Sequence, residues 1–508
     1  MAALVSTLLP ALLLPRVPTF TSPRVSSVTL CDAPAGDAPL DAFNTWLASK
    51  GVDTTTVTGK KLPGFGMCLV AGENGCKAGD AMMAVPASLH ITPSRVRAAK
   101  LGQAIAGVIP EDDDSAQLAL GLLAELARGE GSALWPYLSI LPGVDDMVGL
   151  PLLWTEEELD EHFAGSHLGA TLGAVKAGLI MQWQAIEERV IPNHPELFPP
   201  AVFNVAGYLY AHAIVLTRAL PFGDEQSLIP FMDLANHVNG AKNTCSIGVV
   251  SRDEEASEGA AKVNVVPVVD QNQLESLGMG EEVSAVLTAG VDLAPGEQAF
   301  IDYGEAGWRS SWEMLYTYGF VPGESPEDWM STGGRPLFFD GIEPTDPLIE
   351  QKRAVLVTLG AGEEAAEGTW LDLRPTREQC EMMAPLLRLA SLADDGTEPE
   401  LTAELAAWKA DPQAVWGRMQ TPLSDETEAK VATKVIAACD EALAELPSAE
   451  TLLPRAMPAA PDAEASAELS AQQERSRLAA RVMLGERAAL EACQTVWNEA
   501  LSKVATPA

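Results

Sequence analysis

Strand-like runs occupy two separate stretches of this sequence with about a hundred residues of helical texture between them, and that interruption limits the fold more than any other feature. From Asp41 to Pro93 a short amphipathic stretch carrying Phe43, Trp46 and Leu47 gives way to apolar runs at Met67–Val70 and Ala81–Val85, set between Gly-rich turns. Between Pro93 and Gly207 helical spacing takes over. Leu118, Leu120, Leu122, Leu123 and Leu126 follow an acidic cluster at Glu111–Asp114 suited to a helix N-terminus. Further helices are expected from Thr155, which precedes Glu156, Glu157 and Glu158, and over Leu179–Ile191. Val202–Leu216 is almost wholly apolar, the pattern of a helix buried on all sides. Short apolar runs then return at Leu228–Met232, Cys245–Val250, Val263–Val269, Val283–Leu287 and Gln298–Tyr303, which read as strands, with an exposed acidic loop at Ser251–Ala261. From about Pro347 onward Ala, Leu and Glu recur at helical spacing, which predicts a separate all-helical domain. The expected class is α+β: β-structure split by a helical insertion, then an all-helical C-terminal domain.

A chain of 508 residues exceeds the usual size of one hydrophobic core, and 47% hydrophobic residues exclude a mostly disordered protein. The formal charge of -38 argues against nucleic acid as a partner, because phosphate backbones are bound by clustered Lys and Arg. Proteins or small molecules are the expected partners. The seven cysteines are scattered with no C-x-x-C pair, so they read as buried free thiols and no structural metal is expected. Residues 1–31 lack acids, have Arg16 and Arg24 as their only charges and are rich in Ser and Thr from Ser22 to Thr29. This is a targeting composition, open to a plastid, mitochondrial or secretory reading. Its apolar run, Ala2–Leu14, is too short to cross a bilayer and is broken by Pro10, and no membrane association is expected.

Phosphate-loop, serine-hydrolase and zinc-protease signatures are absent. Two segments stand out instead. In SLIPFMDLANHVNG, Ser227 to Gly240, an apolar run delivers Asp233, Asn236 and His237 together. In LAPGEQAFIDYGEAGWRSSWEMLYTYGF, Leu293 to Phe320, a turn at Pro295-Gly296-Glu297, a strand, a loop and a short helix at Ser311–Tyr316 separate Tyr303 from Tyr318. Taken singly, the Asn-His pair reads as turn chemistry and the tyrosines as core aromatics.

Together these segments resemble the SET-domain methyltransferases of the Rubisco large-subunit lysine methyltransferase class, which carry I-P-x-x-D-x-x-N-H, then P-G-E-x-x-x-x-Y-G, then Y-G-F. Ile229-Pro230, Asp233, Asn236-His237, Pro295-Gly296-Glu297, Tyr303-Gly304 and Tyr318-Gly319-Phe320 follow in that order. Pro63-Gly64-Phe65-Gly66, with Lys77-Ala78-Gly79-Asp80 behind it, is similar to the class's first G-x-G strand and its turn. The targeting composition sets off a segment over 1–36, and the resemblance implies a SET domain over 41–322 interrupted at about 94–205 and a substrate-binding domain over 340–508. It implies S-adenosylmethionine as cofactor, held by Gly64, Phe65, Gly66, Arg218, Asp233, Asn236, His237, Tyr318, Gly319 and Phe320. It implies Tyr303 as the catalytic residue and a lysine of a protein, in the Rubisco large subunit or another plastid protein, as methyl acceptor.

The sequence departs from the class near the substrate channel: Ser310-Ser311 stands where Ser-Asn is usual, and the stretch between the two tyrosines is longer, with Trp308 in it. A catalytically silent scaffold therefore stays open as an alternative, as does a histidine methyltransferase, although the branch that methylates actin histidine lacks the tyrosine that Tyr318 supplies here. Oligomeric state is not encoded in these patterns.

Overall fold

The computed structural model describes residues 38–62, 66–222, 225–238, 245–251, 266–267, 283–302, 309–358, 363–392, 403, 411–458 and 467–504. Gly64, Phe65, Tyr303, the segment 1–36 and the acidic stretch 252–261 lie outside the described residues. The chain divides into two compact units. One takes its residues from Met1–Glu156, Leu172–Arg309 and Thr317–Gly319, the other from Glu157–Thr171, Ser310–Tyr316 and Phe320–Ala508.

The first unit contains β1 (Val57–Leu62), β2 (Gly66–Ala71), β3 (Ala81–Pro86), β4 (Leu220–Phe222), β5 (Glu225–Ser227), β6 (Asn236–His237), β7 (Cys245–Ser251), β8 (Val266–Pro267), β9 (Val283–Ala289) and β10 (Gln298–Ile301). They form two four-stranded sheets, ordered β1-β2-β10-β6 and β3-β9-β7-β8, and the small antiparallel pair β4-β5. In β2 the sequence GMCLVA is buried from Cys68 onward, the run of a strand covered on both faces. The expected strand at Leu228–Met232 is not formed. Leu228 makes one isolated bridge to Ile91, the chain turns, and Met232–Leu234 is a single 3-10 turn. The apolar run is continuous because it is buried, and burial alone does not distinguish a strand from a turn.

Helices of the interrupting stretch complete this core. Asp113 caps Asp114–Arg128 by accepting from Ala116 N at 2.9 Å, and Gly129, with φ 53°, ends it. Asn204 caps Val205–Arg218 in the same way, accepting from Gly207 N at 2.9 Å. Tyr208, Tyr210, Ala211, Ala213 and Ile214 of that helix are fully buried. At about 1.5–3 kcal/mol for each large apolar side chain removed from water, this anchors the helix and fixes where its last residue, Arg218, emerges.

The second unit is helical, with one correction to the all-helical expectation: β11 (Arg335–Asp340) and β12 (Gly368–Leu373) form an antiparallel ladder. Leu337 and Phe339 face inward while Phe338 stays partly exposed, the alternation of a half-buried strand, and the Ala- and Glu-rich surroundings mask it in the sequence. Its longest helices are Asp425–Glu445 and Ala467–Val504, and Ile349–Thr358, Ala384–Ser391, Pro412–Met419 and Ala449–Ala456 are among the shorter ones. Cys68, Cys76, Cys245, Cys380, Cys439 and Cys493 are buried thiols. Among the described residues no helix is long and apolar enough to cross a membrane, and no group of three or more His, Cys, Asp or Glu could hold a metal ion.

Candidate active site

The sheet β1-β2-β10-β6 brings the separated motifs to one end. β6 runs parallel to β10, with Asn236 opposite Phe300 and His237 opposite Ile301, and Val238 N donates to Ile301 O at 3.0 Å. His237 Nδ1 lies 3.8 Å from Asp302 Oδ1, and both side chains are largely buried. β2 is antiparallel to β10, with Leu69 opposite Ala299 and Val70 opposite Gln298, so its first residue, Gly66, points to the end where β10 leads into Asp302. Gly66 has φ 67°, a conformation that favours glycine. Gly64 and Phe65 immediately precede this end of β2 and Tyr303 immediately follows Asp302 in the chain.

A second cluster lies just upstream of Asn236. Arg218 Nη1 donates to Asp233 O at 3.0 Å and to Asp233 Oδ2 at 3.2 Å, and Tyr137 OH donates to the same Oδ2 at 2.9 Å. The Asp233 side chain is wholly buried, and its other oxygen, Oδ1, has no hydrogen-bond partner among the described residues. Burial pushes the Asp233 carboxyl above the usual carboxylate range, and the Arg218 guanidinium opposes that rise. Burial, and then the neighbouring Asp233 charge, raise the Tyr137 phenol well above the ordinary tyrosine value. Phe231 opens the turn that carries Asp233 and has φ 80°, in the left-handed region that a bulky residue rarely adopts. Its ring is fully buried, edge-on to Phe43 at 5.8 Å, so packing holds the strained backbone in place.

Tyr318 reaches the same end as His237 electrostatically. Burial raises its phenol pKa, Arg309 lowers it and Asp302 raises it, and the Arg309 guanidinium sits 5.7 Å from the ring centroid. Gly319 has φ 79°, and a Cβ there would stand 3.0 Å from Leu150 N, so only glycine fits. Phe320 begins a segment of the second unit.

Of the residues singled out by sequence, the structure gathers Gly66, Asn236 and His237 on one sheet, Arg218 and Asp233 in direct contact, and Tyr318 within electrostatic reach of Asp302. Three residues of the site carried no motif: Tyr137, Asp302 and Arg309. Asp302 had a signal, since it directly precedes Tyr303; Tyr137, in the short helix Trp135–Leu138 of the interrupting stretch, had none. An amino-acid ligand matches this donor set: a guanidinium suits a carboxylate, and a buried carboxylate oxygen lacking a donor suits an ammonium group.

Residues 343–490 match the family described as Rubisco LSMT substrate-binding. A ribulose-1,5 bisphosphate carboxylase/oxygenase large subunit N-methyltransferase, chloroplastic, of Nicotiana tabacum is 28% identical over 411 residues, covering 80% of this chain and 72% of the relative. A [fructose-bisphosphate aldolase]-lysine N-methyltransferase, chloroplastic, of Arabidopsis thaliana is 26% identical over 434 residues, covering 84% of this chain and 78% of the relative. In fold, the crystal structure of the SET domain of LSMT bound to lysine and AdoHcy is similar with a TM-score of 0.70 at 22% identity, over 93% of both chains. With Gly66, Asn236 and His237 gathered on one sheet and residues 343–490 of the second unit carrying the family match, the chain is similar over most of its length to the SET-domain methyltransferases of the Rubisco large-subunit methyltransferase class.

Proposed function

We propose that this protein transfers a methyl group from S-adenosylmethionine to a lysine ε-amine of a protein substrate. The observation that carries the reading is the sheet β1-β2-β10-β6, whose register sets Gly66, His237 and Asp302 toward one end. Within this reading Gly64, Phe65, Gly66, Asn236, His237, Tyr318, Gly319 and Phe320 line the cofactor site, and Arg218 and Asp233 receive the cofactor's amino-acid end. Residues 41–322 would form the SET domain and 340–508 the substrate-binding domain. S-adenosylmethionine, when bound, supplies a sulfonium-activated methyl group to an incoming nucleophile.

The protein's part is to align that nucleophile, keep water out and deliver the amine without its proton. Free lysine has a pKa near about 10.4, so only about a thousandth is neutral at pH 7. Burial beside a positive charge lowers that pKa, and the Tyr303 hydroxyl is assigned to orient the amine's lone pair. Tyr303 is the catalytic residue of this proposal.

The two relatives are named for different substrates, and both names carry the word chloroplastic. We assign this chain to the plastid and its substrate to a plastid protein, with residues 1–36 as the import segment. The experiment is incubation of the full chain with methyl-labelled S-adenosylmethionine and either plastid extract or the two candidate substrates, followed by peptide mass spectrometry. Label on lysine is the expected result. Label on histidine would move the protein to the other branch, and cofactor binding with no labelled product would support a silent scaffold.

A further inference from the structure

We propose that Tyr137 is a positioning residue of the site: by donating to Oδ2 of Asp233 it fixes the carboxylate so that Arg218 and Oδ1 meet the cofactor's amino-acid end in one orientation. This inference rests on the cofactor assignment above and adds to it a residue supplied by the interrupting helices, 96 positions before Asp233.

Three observations support it. The Tyr137 ring packs at 6.2 Å from Phe43 and is completely buried, so a phenylalanine would fill the same space. The hydroxyl adds no packing and is costly to bury unless it is bonded, and its bond goes to Asp233. The distribution of donors is lopsided: Tyr137 and Arg218 both donate to Oδ2, while Oδ1 is buried with no partner among the described residues. An unsatisfied buried carboxylate oxygen is destabilising in the absence of a ligand, and a bound ammonium would relieve that cost. Finally, Asp233 sits in a turn entered through the strained Phe231 backbone, so the group is held against the local conformational preference of the chain.

The charged and titratable groups facing Asp233 are Arg218 and Tyr137, with Tyr210 beyond Tyr137. Donation by Tyr137 favours the ionised carboxylate, so removing the hydroxyl raises the Asp233 pKa and moves the acid limb of cofactor affinity to higher pH.

The test is calorimetric titration of the full chain with S-adenosylmethionine between about pH 5 and 9, for wild type and Tyr137→Phe, with thermal melts alongside. The dissociation constant should rise about three- to tenfold near neutral pH, and the acid limb should move up. Equal affinity at every pH, or a lower melting temperature with affinity and acid limb unmoved, overturns the proposal. Combining Tyr137→Phe with Asp233→Asn should bind no worse than Asp233→Asn alone, because Tyr137 acts through that carboxylate; additive losses overturn it. Should Tyr137→Phe not fold, 3-fluorotyrosine at position 137 keeps the volume and strengthens the donor. The acid limb must then move down, and an unmoved limb overturns the proposal. A wild-type chain that does not bind the cofactor defeats the proposed function together with this inference, whereas an unaltered Tyr137→Phe beside a binding wild type defeats this inference alone.

Discussion

Asp233 in the first unit and Glu486 in the second are built alike and finished differently. Each carboxylate side chain is wholly buried, each faces an arginine and each accepts from a hydroxyl. Burial raises both above their ordinary carboxylate values, and the facing arginine opposes the rise in both. Glu486 divides its partners evenly, Ser166 Oγ donating to Oε1 at 2.8 Å and Arg335 Nη1 to Oε2 at 2.9 Å. Among the described residues, Asp233 concentrates its side-chain partners on one oxygen and has none on the other. A buried charge that serves only architecture is expected to be satisfied on every side, because each missing partner costs about 1–3 kcal/mol. The incomplete carboxylate is therefore the one to associate with a ligand, and the complete one with holding helices together.

The largest effect should come from Arg335→Ala. It leaves Glu486 buried beside Ser166 with no countercharge, a change worth about 3–5 kcal/mol, measured by denaturant unfolding. Cofactor affinity of the folded fraction should not change; a loss of both would erase the distinction between the two carboxylates. Next come the isosteric neutralisations. Glu486→Gln should lower stability by roughly 1–3 kcal/mol and leave cofactor titrations untouched, whereas Asp233→Asn should weaken cofactor binding by more than it lowers the melting temperature. The reverse pattern would exchange the two roles.

Gly319→Ala tests the backbone of the site rather than its charges. With φ 79° and Leu150 N only 3.0 Å from the added Cβ, it should cost roughly 1–3 kcal/mol in thermal or chemical unfolding. A smaller effect is a pH dependence. Glu486 has a folded-state pKa raised above its unfolded value, so the folded chain binds the extra proton and that stabilisation is lost as pH rises above 4.5 through the raised value. The stability of wild type relative to Glu486→Gln should fall over that window and then level off; a rise would invert the assignment. Smallest of all, Lys77→Ala removes a fully solvated pair with Asp292 at 2.7 Å, and its melting temperature should match wild type.

How much of this was legible in the sequence depends on range. The interrupted β-structure, the buried helix ending at Arg218 and the Asn236-His237 corner follow from periodicity and from motifs carried on contiguous residues. What escaped was long-range or masked by burial. The Tyr137–Asp233 bond joins residues 96 apart through a tyrosine that any core would accept. The run Leu228–Met232 looks like a strand because every residue in it is apolar, yet the chain turns at Phe231 with φ 80°. The ladder β11-β12 lies in a compositional background of helix formers. Nor does any local pattern show that Glu157–Thr171 belongs with the chain after Phe320.

That last feature has a bearing on synthesis. Ser166 meets its partner Glu486 across 320 residues, and Glu158 meets Arg475 across 317. At a ribosomal pace of about 5–20 residues per second, the short segment around Ser166 leaves the exit tunnel roughly a quarter of a minute to a minute before the long final helix that completes its surroundings. The nascent protein must carry it uncommitted through that interval, so a stop codon between Thr171 and Arg475 would strand an early piece of the second unit as well as remove a late one.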